Sequence, residues 1–282
     1  MTGTTRRGVT LVELLVAMML LLVLLSISGA SMQRLLAVQA RTGTVDARGS
    51  AASDALQTLR RHAALVDLAA GDLRVARDTA LELVHTVGVT TVCSAIGDTL
   101  TVTSSADTMP WSSTMPRAIT SDDAVRVWHD RDARWIARQV LSALPASGAC
   151  GDSAIAWPDR ATQQLILDSG TTGILPGMAV RVLQRERWSL VRGGDGRWSL
   201  SLATWNAVRN TFNTPQPLLS PLAAPSATGG PGLIVRALDP HGRQLPDSAR
   251  NSASALSLVL RGLPSPRDGA LIDSVRIHVG SR

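Results

Sequence analysis

The chain has no lysine, no tyrosine, one phenylalanine, three glutamates and two cysteines in 282 residues. Without lysine, Gly193-Gly194-Asp195-Gly196 has no route to a phosphate-binding loop, which needs a Lys-Ser/Thr pair after its glycines. Three glutamates, Glu13, Glu82 and Glu186, leave acid–base catalysis little to work with. The net charge of +6 comes from arginines scattered mostly singly, with Arg6-Arg7 and Arg60-Arg61 the tightest clusters. A nucleic-acid groove shows a basic stripe interleaved with aromatics, so nucleic acid is not expected as the main partner. The five histidines, His62, His85, His129, His241 and His278, are dispersed, with no HExxH and no two-His ligand spacing. His129-Asp130-Arg131-Asp132 lacks the further oxygens and distal Glu of a calcium loop and reads as a solvated turn. Ser153, in Gly151-Asp152-Ser153-Ala154-Ile155, lacks the closing glycine of a nucleophile elbow. No catalytic residue, metal ligand or cofactor is therefore predicted, and the chain does not read as an enzyme.

Cys93 and Cys150 occur without any CxxC motif. In an exported domain such a pair reads as one structural disulfide, with two buried free thiols as the alternative. Seven tryptophans against one phenylalanine are an unusual aromatic choice. They read as core contacts, or on an exposed surface as adhesion or carbohydrate contacts.

One long apolar run is present. Residues 9–30 are almost uninterruptedly hydrophobic, and a helix of that length reaches roughly 30 Å, enough to cross a hydrocarbon core. Arg6 and Arg7 precede it without any acid, which places the N-terminus in the cytoplasm and the remainder outside. Glu13 interrupts the run one turn in, where a carboxylate is costly and is usually kept for a partner. A secretory signal cut near Ser28-Gly29-Ala30 would not explain Glu13, and the residues after Arg6-Arg7 fit a twin-arginine signal poorly.

The stretch Gly8-Val9-Thr10-Leu11-Val12-Glu13-Leu14-Leu15-Val16-Ala17-Met18 resembles the prepilin signal of type IV pilins and type II secretion pseudopilins. That signal has a short basic leader ending in Gly, an apolar residue after the cut and Glu at the fifth position beyond it. Many members have Phe where this chain has Val9. The resemblance implies cleavage between Gly8 and Val9 by a prepilin peptidase, methylation of the Val9 amine, and pairing of Glu13 with the N-terminal amine of a neighbouring subunit. It also implies an inner-membrane protein with a periplasmic head, able to join other pilin or pseudopilin subunits.

Beyond the membrane segment, residues 31–71 are predicted as an amphipathic helix. Val45, Ala52, Leu56, Leu59, Ala63 and Val66 share one face, and Gly71-Asp72 provides a stop. From residue 72 the period changes to two. Strands are predicted at 81–92, 99–103, 124–128, 135–141, 165–168, 179–192, 197–205, 233–238, 255–261 and 272–279. The glycine-rich turn at 193–196 marks a hairpin. The Pro-, Ser- and Gly-rich segment 213–232 is predicted as an exposed flexible loop.

The Trp-bearing hairpin arms (Arg187-Trp188 and Arg197-Trp198), then Leu238-Asp239-Pro240-His241-Gly242, then a terminal strand pair resemble larger minor pilins and J-type minor pseudopilins. The expected organisation is a leader (1–8), a transmembrane helix (9–30), an amphipathic continuation (31–71) and a β-rich head (72–282). The expected class is α+β, with a long helix packed on antiparallel sheet. The expected role is a minor pilin or pseudopilin subunit, with a membrane-tethered binding module or adhesin as the alternative.

Overall fold

The computed structural model describes residues 15–16, 18–20, 25, 32, 39, 49–103, 114–146, 150, 162–263 and 272–278. Arg6, Arg7, Gly8, Val9 and Glu13, with Val45, Trp111 and Trp157, lie outside these residues, as does most of the 9–30 segment. Among the described residues no helix is long and apolar enough to cross a membrane. The chain divides into two compact units, Met1–Ala51 and Ala52–Arg282. The described residues of the first are helical, and its Leu15, Val16, Met18, Met19, Leu20, Leu25 and Met32 are all exposed.

The second unit is mostly antiparallel β-sheet, as expected of a β-rich head, but the long helix of the expected α+β class is not found among the described residues. Its strands are β1 (Leu73–Arg77), β2 (Ala80–Ile96), β3 (Thr99–Thr103), β4 (Ala124–His129), β5 (Arg134–Ala146), β6 (Thr162–Leu167) and β7 (Ala179–Arg192). They continue with β8 (Trp198–Asn206), β9 (Thr211–Phe212), β10 (Gln216–Leu222), β11 (Leu233–Leu238), β12 (Ala255–Arg261) and β13 (Ile272–His278).

Six of the strands close on themselves. The pairings β2–β3, β3–β6, β6–β5, β5–β4 and β4–β7 return to β2 through a β2–β7 ladder running from Ala80↔Ser189 to Thr91↔Ala179. Closure leaves these strands without a free edge over the paired lengths. Each contributes its inward parity to one aliphatic core: Val92, Leu100, Val102, Val125, Val127, Val140, Leu165, Leu167, Val180 and Val182, joined by Met115, Ile119 and Ile174. The β2–β7 register shifts between Thr86 and Gly88. Gly88 belongs at this bulge, because a Cβ there would lie 2.7 Å from Met115 Sδ and 3.0 Å from backbone of the 114–115 segment.

Strands β2 and β7 outrun the ring. Beyond it β1 joins the far edge of β2, and β8 and β10 extend from β7, giving the order β1-β2-β7-β8-β10. The helical residues 52–64 bury Ala52, Ala55, Leu56, Leu59 and Ala63, the face expected from the apolar spacing. His62, on that helix, meets His85 of β2 and Trp188 of β7 and so fixes the helix against this sheet. The helix stops at 64, short of 71. Carboxylates downstream capture backbone N–H groups: Asp67 N–H donates to Asp72 Oδ2 at 3.1 Å and Ala70 N–H to Asp67 Oδ1 at 3.2 Å. The Asp72 carboxylate is itself held by a two-armed ion pair with the buried Arg126.

Within 213–232, expected as a loop, Gln216–Leu222 instead forms β10, an edge strand on β8 whose register shifts at Pro217/Leu219 and again at Leu219/Leu222. Prolines are tolerated there because one side of an edge strand needs no N–H donor. Strands β11, β12 and β13 form a separate three-stranded antiparallel sheet. The other predicted strands are present, with β2 running on to Ile96 and β5 to Ala146 beyond their predicted ends.

Candidate functional site

Period-two alternation sends Leu81, Leu83 and His85 of β2 to the same side as Glu186, Trp188 and Leu190 of β7. Most of that face is aliphatic and dry. Glu186, 1% exposed, is not, and it needs partners for both oxygens. His62 Nδ1 lies 2.7 Å from Oε1, and Trp188 Nε1–H donates to the same oxygen at 2.7 Å. His85 Nε2 lies 3.3 Å from Oε2. The His62 and His85 rings are stacked, with centroids 4.2 Å apart and planes 9° from parallel, and Trp188 meets His62 edge-on.

Burial pushes the Glu186 carboxyl up, but hydrogen bonding and charge from His62 and His85 outweigh it and hold the group down at about 2. Glu186 is therefore a buried carboxylate that demands positive charge beside it. His62, His85 and Glu186 each offer a ligand atom, and these atoms all lie within 4.8 Å of one another. Read as dispersed in the sequence, two of the five histidines are thus brought together with one of the three glutamates.

The opposite face of the same strands carries a different arrangement. Glu82 accepts from Arg185 Nε at 2.7 Å and from an Arg187 Nη at 2.8 Å. The Arg185 guanidinium lies 4.0 Å above the Trp205 ring, and that of Arg187 lies 4.3 Å above Phe212. Arg181 covers Trp135 in the same way at 4.2 Å. Trp188 is fully buried, while Trp128, Trp135, Trp198 and Trp205 are half-buried. Trp135 and Trp205, read first as core contacts with exposed adhesive contacts as the alternative, are half-buried and stacked under arginines.

Comparison with known proteins decides what the N-terminus is. Residues 4–29 match the family model of the prokaryotic N-terminal methylation motif. The chain carries a prepilin-type signal. No curated protein and no solved structure matches the chain. The prepilin-type signal implies membrane-anchored export, processing by a prepilin peptidase and assembly with other pilin-type subunits.

The matched stretch includes every N-terminal residue singled out above, Arg6, Arg7, Gly8, Val9 and Glu13. Cys93 and Cys150 of this prepilin-type chain are joined by a disulfide, with Cα atoms 4.6 Å apart. The bridge ties the ring-side end of β2 to a residue 57 positions later. His129, read as part of a solvated turn, is instead buried at the end of β4, where its Nε2 is 3.1 Å from the Thr172 carbonyl and its Nδ1 accepts from Asp132 N–H at 3.3 Å.

Proposed function

We propose that the protein is a minor pilin or minor pseudopilin subunit, an assembly component rather than an enzyme. The observation that carries this is the methylation motif over residues 4–29, a stretch that contains Gly8, Val9 and Glu13. A prepilin peptidase cuts between Gly8 and Val9 on the cytoplasmic side, and the new Val9 amine is methylated. The apolar segment 9–30 then holds the protein in the inner membrane as a single pass, with the β-rich head in the periplasm. Glu13 pairs with the N-terminal amine of the next subunit, where opposite charges in a desolvated bundle attract strongly.

Three observations support the reading. The exposed apolar side chains of Leu15, Val16, Met18, Met19, Leu20 and Leu25 form an apolar helical surface suited to lipid or to neighbouring helices. The helical residues 52–64 sit on an antiparallel sheet, the arrangement expected of a pilin-like head. The Cys93–Cys150 disulfide suits an oxidising compartment.

Protein purified from membranes of cells that contain prepilin peptidase is expected to begin at Val9 and to carry one added methyl group, as read by intact mass and N-terminal sequencing. A start near Ser31 would make it an ordinary exported protein and end the assembly reading.

A further inference from the structure

The cluster of His62, His85 and Glu186 has a defect as a purely hydrogen-bonded structure. His85 is 5% exposed, yet its Nδ1 has no hydrogen-bond partner and its Nε2 has only the 3.3 Å ion-pair contact with Glu186 Oε2. Leaving a buried imidazole nitrogen without a partner is costly. The neighbouring carboxylate needs a cation. The two imidazoles beside it are stacked face to face, with ring centroids 4.2 Å apart.

We propose that His62, His85 and Glu186 form a divalent transition-metal site, suited first to Zn²⁺, that clamps the helix 52–64 to strands β2 and β7. One metal ion answers all three demands: it gives an imidazole nitrogen a partner, neutralises the carboxylate and bridges the stacked rings. Two imidazoles and one carboxylate are a borderline-soft set, suited to Zn²⁺ and poorly suited to the all-oxygen preference of Ca²⁺ or Mg²⁺.

The geometry is near what is needed. Ligand atoms of a tetrahedral zinc site are roughly 3.3 Å apart. His85 Nε2 and Glu186 Oε2 are already 3.3 Å apart, His62 Nδ1 and Glu186 Oε1 are 2.7 Å apart, and the whole set lies within 4.8 Å. The rings must turn out of parallel to converge on one ion. Trp188 Nε1–H fixes Glu186 through Oε1 and leaves Oε2 turned to His85, the kind of supporting hydrogen bond that orients a metal-binding carboxylate. The His62 side chain is 26% exposed, which opens a route for the ion and a place for a water as fourth ligand.

The test uses the full chain in detergent, without a histidine tag, stripped with chelator. Co²⁺ is titrated as a visible-absorbing probe and then displaced with Zn²⁺, and bound metal is counted by elemental analysis. The expected result is one ion per chain, a tetrahedral Co²⁺ spectrum, and a higher unfolding temperature with Zn²⁺ than with chelator. His62→Gln, His85→Gln and Glu186→Gln are each expected to weaken Co²⁺ binding by ~100-fold or more, while His241→Gln on an exposed turn leaves it unchanged. His62→Gln decides the matter, because that side chain is partly exposed and the chain should still fold. If this variant folds and binds Co²⁺ as tightly as the wild type, the site is not the one named here. Absence of saturable one-to-one binding in the wild type would show a hydrogen-bonded network only and overturn the proposal.

Discussion

The same face of the same two strands has two chemistries. Towards the ring, β7 contributes Val180 and Val182 and β2 contributes Val92 to an aliphatic core drawn from all six strands. A few residues along, past the bulge at Gly88, that face carries His85, Glu186 and Trp188 under the helix. In the ring the partners are other strands, whose backbone groups are already satisfied, so packing is mainly apolar and buried polar side chains such as Thr90 and Thr103 pair with each other. Under the helix a side chain arriving from a second element, His62, closes a polar network. Aliphatic packing makes the ring, while a buried charge locates the helix on the sheet.

Truncating the centre of each region sharpens this contrast. Trp188 is fully buried and also donates to Glu186, so Trp188→Ala removes a large side chain and one support of a buried carboxylate. A loss of about 5 kcal/mol is expected, read by urea unfolding followed by circular dichroism. Leu165→Ala, in the ring core, opens a cavity without orphaning any polar group and should cost about 3 kcal/mol. If Leu165→Ala proved the more damaging of the two, the helix-side network would contribute nothing beyond its volume, and the distinction between the regions would fail.

Glu186→Gln comes next in size. Glutamine keeps an oxygen for Trp188 Nε1–H but removes the charge that His62 and His85 face. A charge-assisted hydrogen bond becomes a neutral one at a buried site, for an expected loss of about 2 kcal/mol in chelator-treated protein. Urea midpoints of the two proteins, measured side by side, give the difference. An unchanged midpoint would show that the buried charge has no net role in holding the helix to the sheet.

Local pattern made much of the fold legible. The boundaries read for 179–192, 233–238 and 255–261 coincide with β7, β11 and β12, because alternation and flanking turns define a strand without knowledge of its partner. Ring closure was not legible, since it depends on a β2–β7 ladder between segments far apart in the chain. Strand β10 was hidden by its prolines, which resemble loop chemistry until an edge position accounts for them.

The helix was read too long because Asp67 looks like a surface charge and Gly71-Asp72 like the stop, whereas both aspartates take backbone N–H groups that end the helix earlier. The cluster was missed because His62 and Glu186 stand 124 positions apart. One signal was available: Glu186 shares strand parity with Val182, Trp188 and Leu190, so alternation alone places a carboxylate among inward-facing residues.

The smallest expected effect lies where charge meets water. Arg77 Nε and Asp247 Oδ2 are 2.8 Å apart, shorter than several contacts in the buried clusters, but the side chains are 71% and 49% exposed. Solvent screens such a pair, and ordering two mobile side chains offsets most of the attraction that remains. Asp247→Ala should therefore change stability by no more than about 0.5 kcal/mol, and by less at high salt, in the same urea experiment. A loss approaching that of Glu186→Gln would mean that distance, rather than burial and the demand for a partner, ranks the ion pairs of this protein. It would also remove the physical reason for setting the helix-side cluster apart from the other charges.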